Sequence, residues 1–112
     1  MITDYGLDAT AALLHETALS KGFYDSLDMK EFNSQAKQLA MVHSEVTEVL
    51  EALRKSKGQE EVVLELVDVI IRVLDLYAAL RNAGVVSDSL DDTLSLKAEV
   101  NSGRPRMHNV LG

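Results

Sequence analysis

The amino-acid sequence predicts an all-α protein, a four-helix bundle, and three observations carry that prediction. Apolar residues recur at helical spacing in four segments. No stretch alternates with a period of two or offers a hairpin turn. Gly22, Gly58, Gly84 and the Gly103 to Pro105 stretch fall between or after those segments. At 112 residues, with 46% apolar and 26% charged side chains, the chain has the length and composition of one folded domain, spanning residues 1–112, rather than of a disordered one.

The first helix is expected from Leu7, Ala11, Leu14 and Ala18, which share a modest apolar face, and Gly22 closes it. The second is expected to begin at Asp28-Met29-Lys30-Glu31, where an Asp and a Glu three residues on can cap each other's backbone N–H groups. Phe32, Leu39, Val42, Val46, Val49 and Leu53 extend it toward Lys57. Arg54, Lys55 and Lys57 before Gly58 suit the negative end of the helix dipole. Gln59, Glu60 and Glu61 suit the opposite end and start a third helix that runs to Arg81 and Asn82, with Gly84 as a left-handed stop. For the fourth, Ser87 is the expected N-cap, Leu90, Leu94 and Val100 form the apolar side, and Gly103 and Pro105 end it.

Apolar residues cover the third helix almost all round, from Val62 to Leu80. A single amphipathic face needs only about a third of the surface. This helix should therefore be central, and a chain this short leaves much of its surface exposed. A homo-oligomer, dimer or tetramer, would supply the missing cover. The segment does not read as a membrane span, because Glu65, Asp68, Arg72 and Asp75 interrupt it. Four such charges cost about 10 to 14 kcal/mol near a membrane centre, more than the neighbouring apolar residues return.

The chain carries 18 acidic and 11 basic residues, a formal charge of −7, and no cysteine. The acidic balance argues against a nucleic-acid polymer as partner, since that affinity rests on clustered Lys and Arg. The lack of cysteine removes disulfide and thiolate chemistry, and the N-terminus has neither the basic nor the apolar region of a secretion signal. The expected location is cytoplasmic.

The acids are not scattered. Glu65, Asp68, Arg72 and Asp75 follow one another at spacings of three, four and three, along one line of the third helix. Glu45 and Glu48 form an E-x-x-E pair on the second helix, and Glu65 with Asp68 an E-x-x-D pair across a short turn. One reading is that both stripes are solvated helix faces. The other is that the narrow polar line of an otherwise apolar helix faces a partner helix, so that four carboxylates oppose each other around a cation. Two like charges 4 Å apart repel by roughly 4 kcal/mol at an effective dielectric near 20. Arg72 alone undercompensates four acids, and a hard divalent ion such as Mg²⁺ matches oxygen ligands. None of His15, His43 or His108 has a Glu three residues before it, against the pattern of a di-iron bundle.

In that order and spacing, the pairs resemble the signature of the all-α nucleoside triphosphate pyrophosphohydrolases of the MazG kind. The tail from Lys97 through Asn101, Arg104 and Pro105 to His108 is similar to that family's closing segment. The resemblance covers about residues 30 to 108. It implies a MazG-like oligomeric bundle that hydrolyses nucleoside or deoxynucleoside triphosphates between the α and β phosphates, with Mg²⁺, or Mn²⁺ in its place, as cofactor and nucleotide-pool housecleaning as the role. It assigns Glu45, Glu48, Glu65 and Asp68 to the metal, Glu45 or Glu48 to the attacking water, and Lys97, Asn101 and Arg104 to the phosphates or sugar. Arg54 and Lys55 are weaker phosphate candidates.

The chain departs from the family pattern at Ser44, where many members carry a further acid, and at Asn109, where they often have Gly. With no Trp, a tryptophan base cage is excluded. Phe32 and Tyr77 are expected in the core, and His43 is expected to pack or to support the ligands. The alternatives are a phosphoribosyl-ATP pyrophosphohydrolase-like enzyme and a non-catalytic helical oligomer that binds a nucleotide or protein partner.

Overall fold

A computed structural model of the chain describes residues 1–106. It contains four helices, α1 (Gly6–Ser20), α2 (Phe32–Arg54), α3 (Gln59–Asn82) and α4 (Leu90–Ser102), and no strand among the described residues. α3 packs against both α1 and α2, and α4 packs against α1.

Two small apolar clusters hold α1 to the C-terminal half of α3. Ala11, Leu74 and Ala78 form one, with Leu7, Leu14, Tyr77 and Leu90 around it. Ala18, Tyr24, Met29 and Ala79 form the other, which draws the α1–α2 connection onto the helix pair. Alanines at these crossings let the backbones approach closely, but they bury little area, and among the described residues no large side chain is fully buried. Away from α2, the N-terminal half of α3 stays uncovered, with Val63, Leu64, Leu66, Val67 and Ile70 all exposed. The radius of gyration is 16.0 Å, against about 13 Å for a compact chain of this length. A single copy is thus an open arrangement, whose centre lies along α1 and α3 rather than around the whole of α3.

Two helix starts differ from expectation. Asp28 does not cap α2. Its carboxylate accepts from the Lys30 N–H at 3.0 Å, and α2 begins at Phe32, after Glu31 in extended conformation. The reason is tertiary, because Met29 is buried with Tyr24 and Ala79, which takes residues 28–31 off the helix axis. Gln35 then ties the start down by donating to the Met29 carbonyl at 2.9 Å. For α4 the N-cap is Ser89 instead of Ser87, and its Oγ accepts from the Asp92 N–H at 3.2 Å.

The shift to Ser89 belongs to a joint in which α1 and α4 cap each other. Asp91, in the first turn of α4, accepts from the N–H groups of Leu7 and Asp8 at 2.7 and 3.1 Å. Asp8, in the first turn of α1, accepts from those of Leu90 and Asp91 at 2.9 and 3.1 Å. Tyr77, Ser89 and Arg81 also donate to Asp8. Each carboxylate therefore satisfies orphan donors at the positive end of the other helix. Gly6 sits at φ +91°, and a Cβ there would lie 3.0 Å from an Asp91 carboxylate oxygen, so the joint leaves no room for a side chain.

Desolvation opposes the ionisation of Asp8, but the hydrogen bonds from Tyr77, Leu90, Asp91 and Ser89 outweigh it and hold its carboxyl well below the usual range. A depressed carboxyl stabilises the fold above its unfolded pKa, and this contribution fades as pH falls through the folded value. Acidification from about pH 4 downward is thus expected to loosen α4 first, with the loss growing as pH approaches the depressed folded value. Amide exchange should show Leu90 and Asp91 losing protection before residues of α3; equal loss throughout the chain would refute the idea.

Candidate metal centre

The turn between α2 and α3 decides which acids meet. Lys57 donates to the Ala52 carbonyl and Ser56 to that of Leu53, with Ser56 at φ +51° and Gly58 at φ +102°. This closes α2 with a left-handed residue and reverses the chain within a few residues. Because both helices rise equally per residue, Glu45 and Asp68 lie equally far from the turn, as do Glu48 and Glu65. The antiparallel pairing therefore sets the E-x-x-E segment opposite the E-x-x-D segment.

Glu45, Glu65 and Asp68 each offer a carboxylate oxygen, and these three oxygens lie within 4.8 Å of one another. Glu45 and Glu65 are half-buried and Asp68 is exposed. Glu48 is exposed and stands outside this trio, yet its charge reaches Glu65. Desolvation, followed by the charges of Asp68, Glu61, Glu48 and Glu45, pushes the Glu65 carboxyl above its ordinary value. Oxygen-only donors at this spacing match a hard cation such as Mg²⁺ or Mn²⁺, and a modest closing of the side chains would bring them to ligand distance.

The remaining members of the acidic line have other partners. Arg72 lies 3.6 Å from Glu45, and its guanidinium sits over the Phe23 ring at 4.8 Å. Asp75 is buried, as are His15 of α1 and Tyr24 of the connection. Its carboxylate meets His15 Nδ1 at 2.7 Å and accepts from the Tyr24 hydroxyl at 3.0 Å. Burial and the Asp75 charge together push the Tyr24 hydroxyl far above its ordinary pKa, so it remains a donor. Sequence spacing put Asp75 on the acidic stripe but not His15 and Tyr24 beside it. A lone acid amid Leu74, Ala78 and Ala79 was the only sign that it needed buried donors.

Residues on α4 do not join the trio through helix packing. Lys97 and Asn101 are exposed on α4, which packs on α1 rather than on α2 or α3, and Arg104 is exposed beyond its end. His108 and Asn109 lie outside the described residues. Arg54 and Lys55 are engaged by Glu51, at 3.0 and 3.5 Å. Phe32, expected in the core, is 77% exposed. With Leu39, Leu76 and exposed His43 it lines an apolar groove of about 430 Å³. The late start of α2 places Phe32 in its first turn, past the packed connection. Tyr77 is half-buried, and its hydroxyl is committed to Asp8 and the Asp88 carbonyl, both at 2.7 Å.

No family model, curated protein or solved structure matches this chain.

Proposed function

We propose that the chain is a MazG-like, Mg²⁺-dependent pyrophosphohydrolase that splits a nucleoside or deoxynucleoside triphosphate between its α and β phosphates, releasing a monophosphate and pyrophosphate. The observation that supports this reading best is the convergence of Glu45, Glu65 and Asp68 across the α2–α3 pair. Such a cluster, with no imidazole in the trio, suits the binding of Mg²⁺ together with an anionic polyphosphate. When bound, Mg²⁺ neutralises phosphate charge and makes bound water a better nucleophile.

In this reading Glu45, Glu48, Glu65 and Asp68 hold the ion, and Glu45 or Glu48 orients the attacking water and takes its proton. The water bonds to the α phosphorus, the α–β bridging bond breaks, and its electron pair leaves with pyrophosphate. No side chain becomes covalently attached to the nucleotide. Lys97, Asn101 and Arg104 contact the phosphates or sugar. A housecleaning role follows from this reaction, which removes a triphosphate in one step.

We further propose that the working form is a homo-oligomer. The exposed apolar half of α3 and the open shape of one copy support it, since such a surface is covered in stable proteins. Association also offers α4 of one copy a route to the acids of another.

The test is a panel of nucleotides with Mg²⁺ or Mn²⁺, scored for pyrophosphate, with sedimentation at micromolar concentration alongside. Pyrophosphate as first product, a melting temperature raised by Mg²⁺ and a mass above one chain are expected. Orthophosphate as first product would exclude α–β cleavage. No turnover and no metal-dependent stabilisation would leave a non-catalytic helical protein.

A further inference from the structure

Among the described residues, Arg72 is the one cation paired with the carboxylate trio, and its setting differs from those of Arg54 and Arg81. Arg54 donates twice to Glu51, at 3.0 and 3.1 Å, and Arg81 donates to Asp8 at 3.1 Å and to Tyr77 at 2.8 Å. Arg72 approaches Glu45 only to 3.6 Å, beyond hydrogen-bond range for an N–H donor. Its link to Glu45 is a charge contact without a directed bond. The side chain is nonetheless held, at 17% exposure with its guanidinium on Phe23. It lines a cleft of about 310 Å³ together with Glu45, Asp68, Phe23 and Thr17. A guanidinium carries five N–H donors in a planar fork.

We propose that Arg72 is an exchangeable counter-ion, which offsets the charge of Glu45 while no cation is bound and turns to a phosphate of the nucleotide once a divalent cation takes Glu45. This rests on the function proposed above and names the residue that couples metal to substrate at that site. A divalent ion in direct contact attracts Glu45 more strongly than a single charge at 3.6 Å. Phe23 holds the displaced guanidinium in the cleft, beside Asp68 and Asp75, where its fork can take a phosphate of the nucleotide. Metal and nucleotide then strengthen each other's binding by the same factor, as linkage requires.

The test uses Mn²⁺ alone, titrated by calorimetry, and then a triphosphate with a non-hydrolysable methylene bridge between its α and β phosphates. Wild type is expected to bind Mn²⁺ more tightly when the analogue is present. R72M should bind Mn²⁺ alone roughly tenfold more tightly, having lost the competing charge, and should lose most of the analogue's effect. Phe23→Leu keeps the charge and releases the guanidinium, so it should leave Mn²⁺ affinity near wild type and weaken the coupling; it carries the test if R72M does not fold. Unchanged Mn²⁺ affinity in a folded R72M, or unchanged coupling in Phe23→Leu, would overturn the proposal while leaving the metal site standing. Failure of wild type to bind Mn²⁺ at all would remove both the site and the role of Arg72.

Discussion

Asp68→Asn is expected to lower pyrophosphate release by at least about a hundredfold, because changing even an outer partner of a metal ligand costs ten- to a hundredfold. Asp68 is exposed and takes no part in the buried clusters. The substitution keeps its size and removes one negative charge. Helix content by circular dichroism and the sedimentation profile should therefore remain those of wild type while Mg²⁺-dependent stabilisation is lost. Glu65→Gln should act likewise, and it also removes the carboxyl that desolvation and the neighbouring acids push up. Full turnover in either variant would remove that residue from the metal set. A melting temperature below wild type without added metal would point instead to a structural role, since removing a charge from a repelling cluster should stabilise the metal-free form.

The second large effect is on stability. Asp75→Ala leaves His15 and Tyr24 buried without their shared acceptor, at a site where the three side chains join α1, the α1–α2 connection and α3. Removing one partner of a buried charged network typically costs about 3 to 5 kcal/mol. The loss should show in chemical denaturation at fixed protein concentration. Asp75→Asn keeps an acceptor for one donor and should cost less. A double-mutant cycle with His15→Ala should reveal coupling, because the two residues share one contact. A loss below about 1 kcal/mol in Asp75→Ala would mean that water replaces the carboxylate without penalty.

These expectations differ in how far the sequence foreshadows them. Four helices follow from apolar spacing and from breakers between the segments, and α3 has the bounds its sequence predicts. The E-x-x-E and E-x-x-D pairs sit symmetrically about the turn, so their meeting was legible once the helices were antiparallel. The His15 to Asp75 contact was not, because sixty residues separate its partners. Periodicity ranks faces; it does not rotate one helix about its axis against another. Capping fared similarly. Ser89 and Ser87 are equally good candidates by residue type, and the choice went to Ser89 because Asp8 and Asp91 lock the two helix starts together. Asp28 has a capping pattern, and the burial of Met29 overrides it.

By itself, the amino-acid sequence determined the helical class, the number of helices and the line of carboxylates on α2 and α3. These depend on neighbours a few residues apart, and local spacing carries that information. Only the tertiary structure decided which acids do what. Carboxylate oxygens of Glu45, Glu65 and Asp68 come within 4.8 Å of one another, Asp75 on the same line turns inward to His15 and Tyr24, and Arg72 stands between the two groups. The physical reason is that the elements packed against α3 change along its length. α2 sets Glu45 beside Glu65 and Asp68, while α1 and the α1–α2 connection bring His15 and Tyr24 onto Asp75, so one line of like residues is divided between a candidate site and a core.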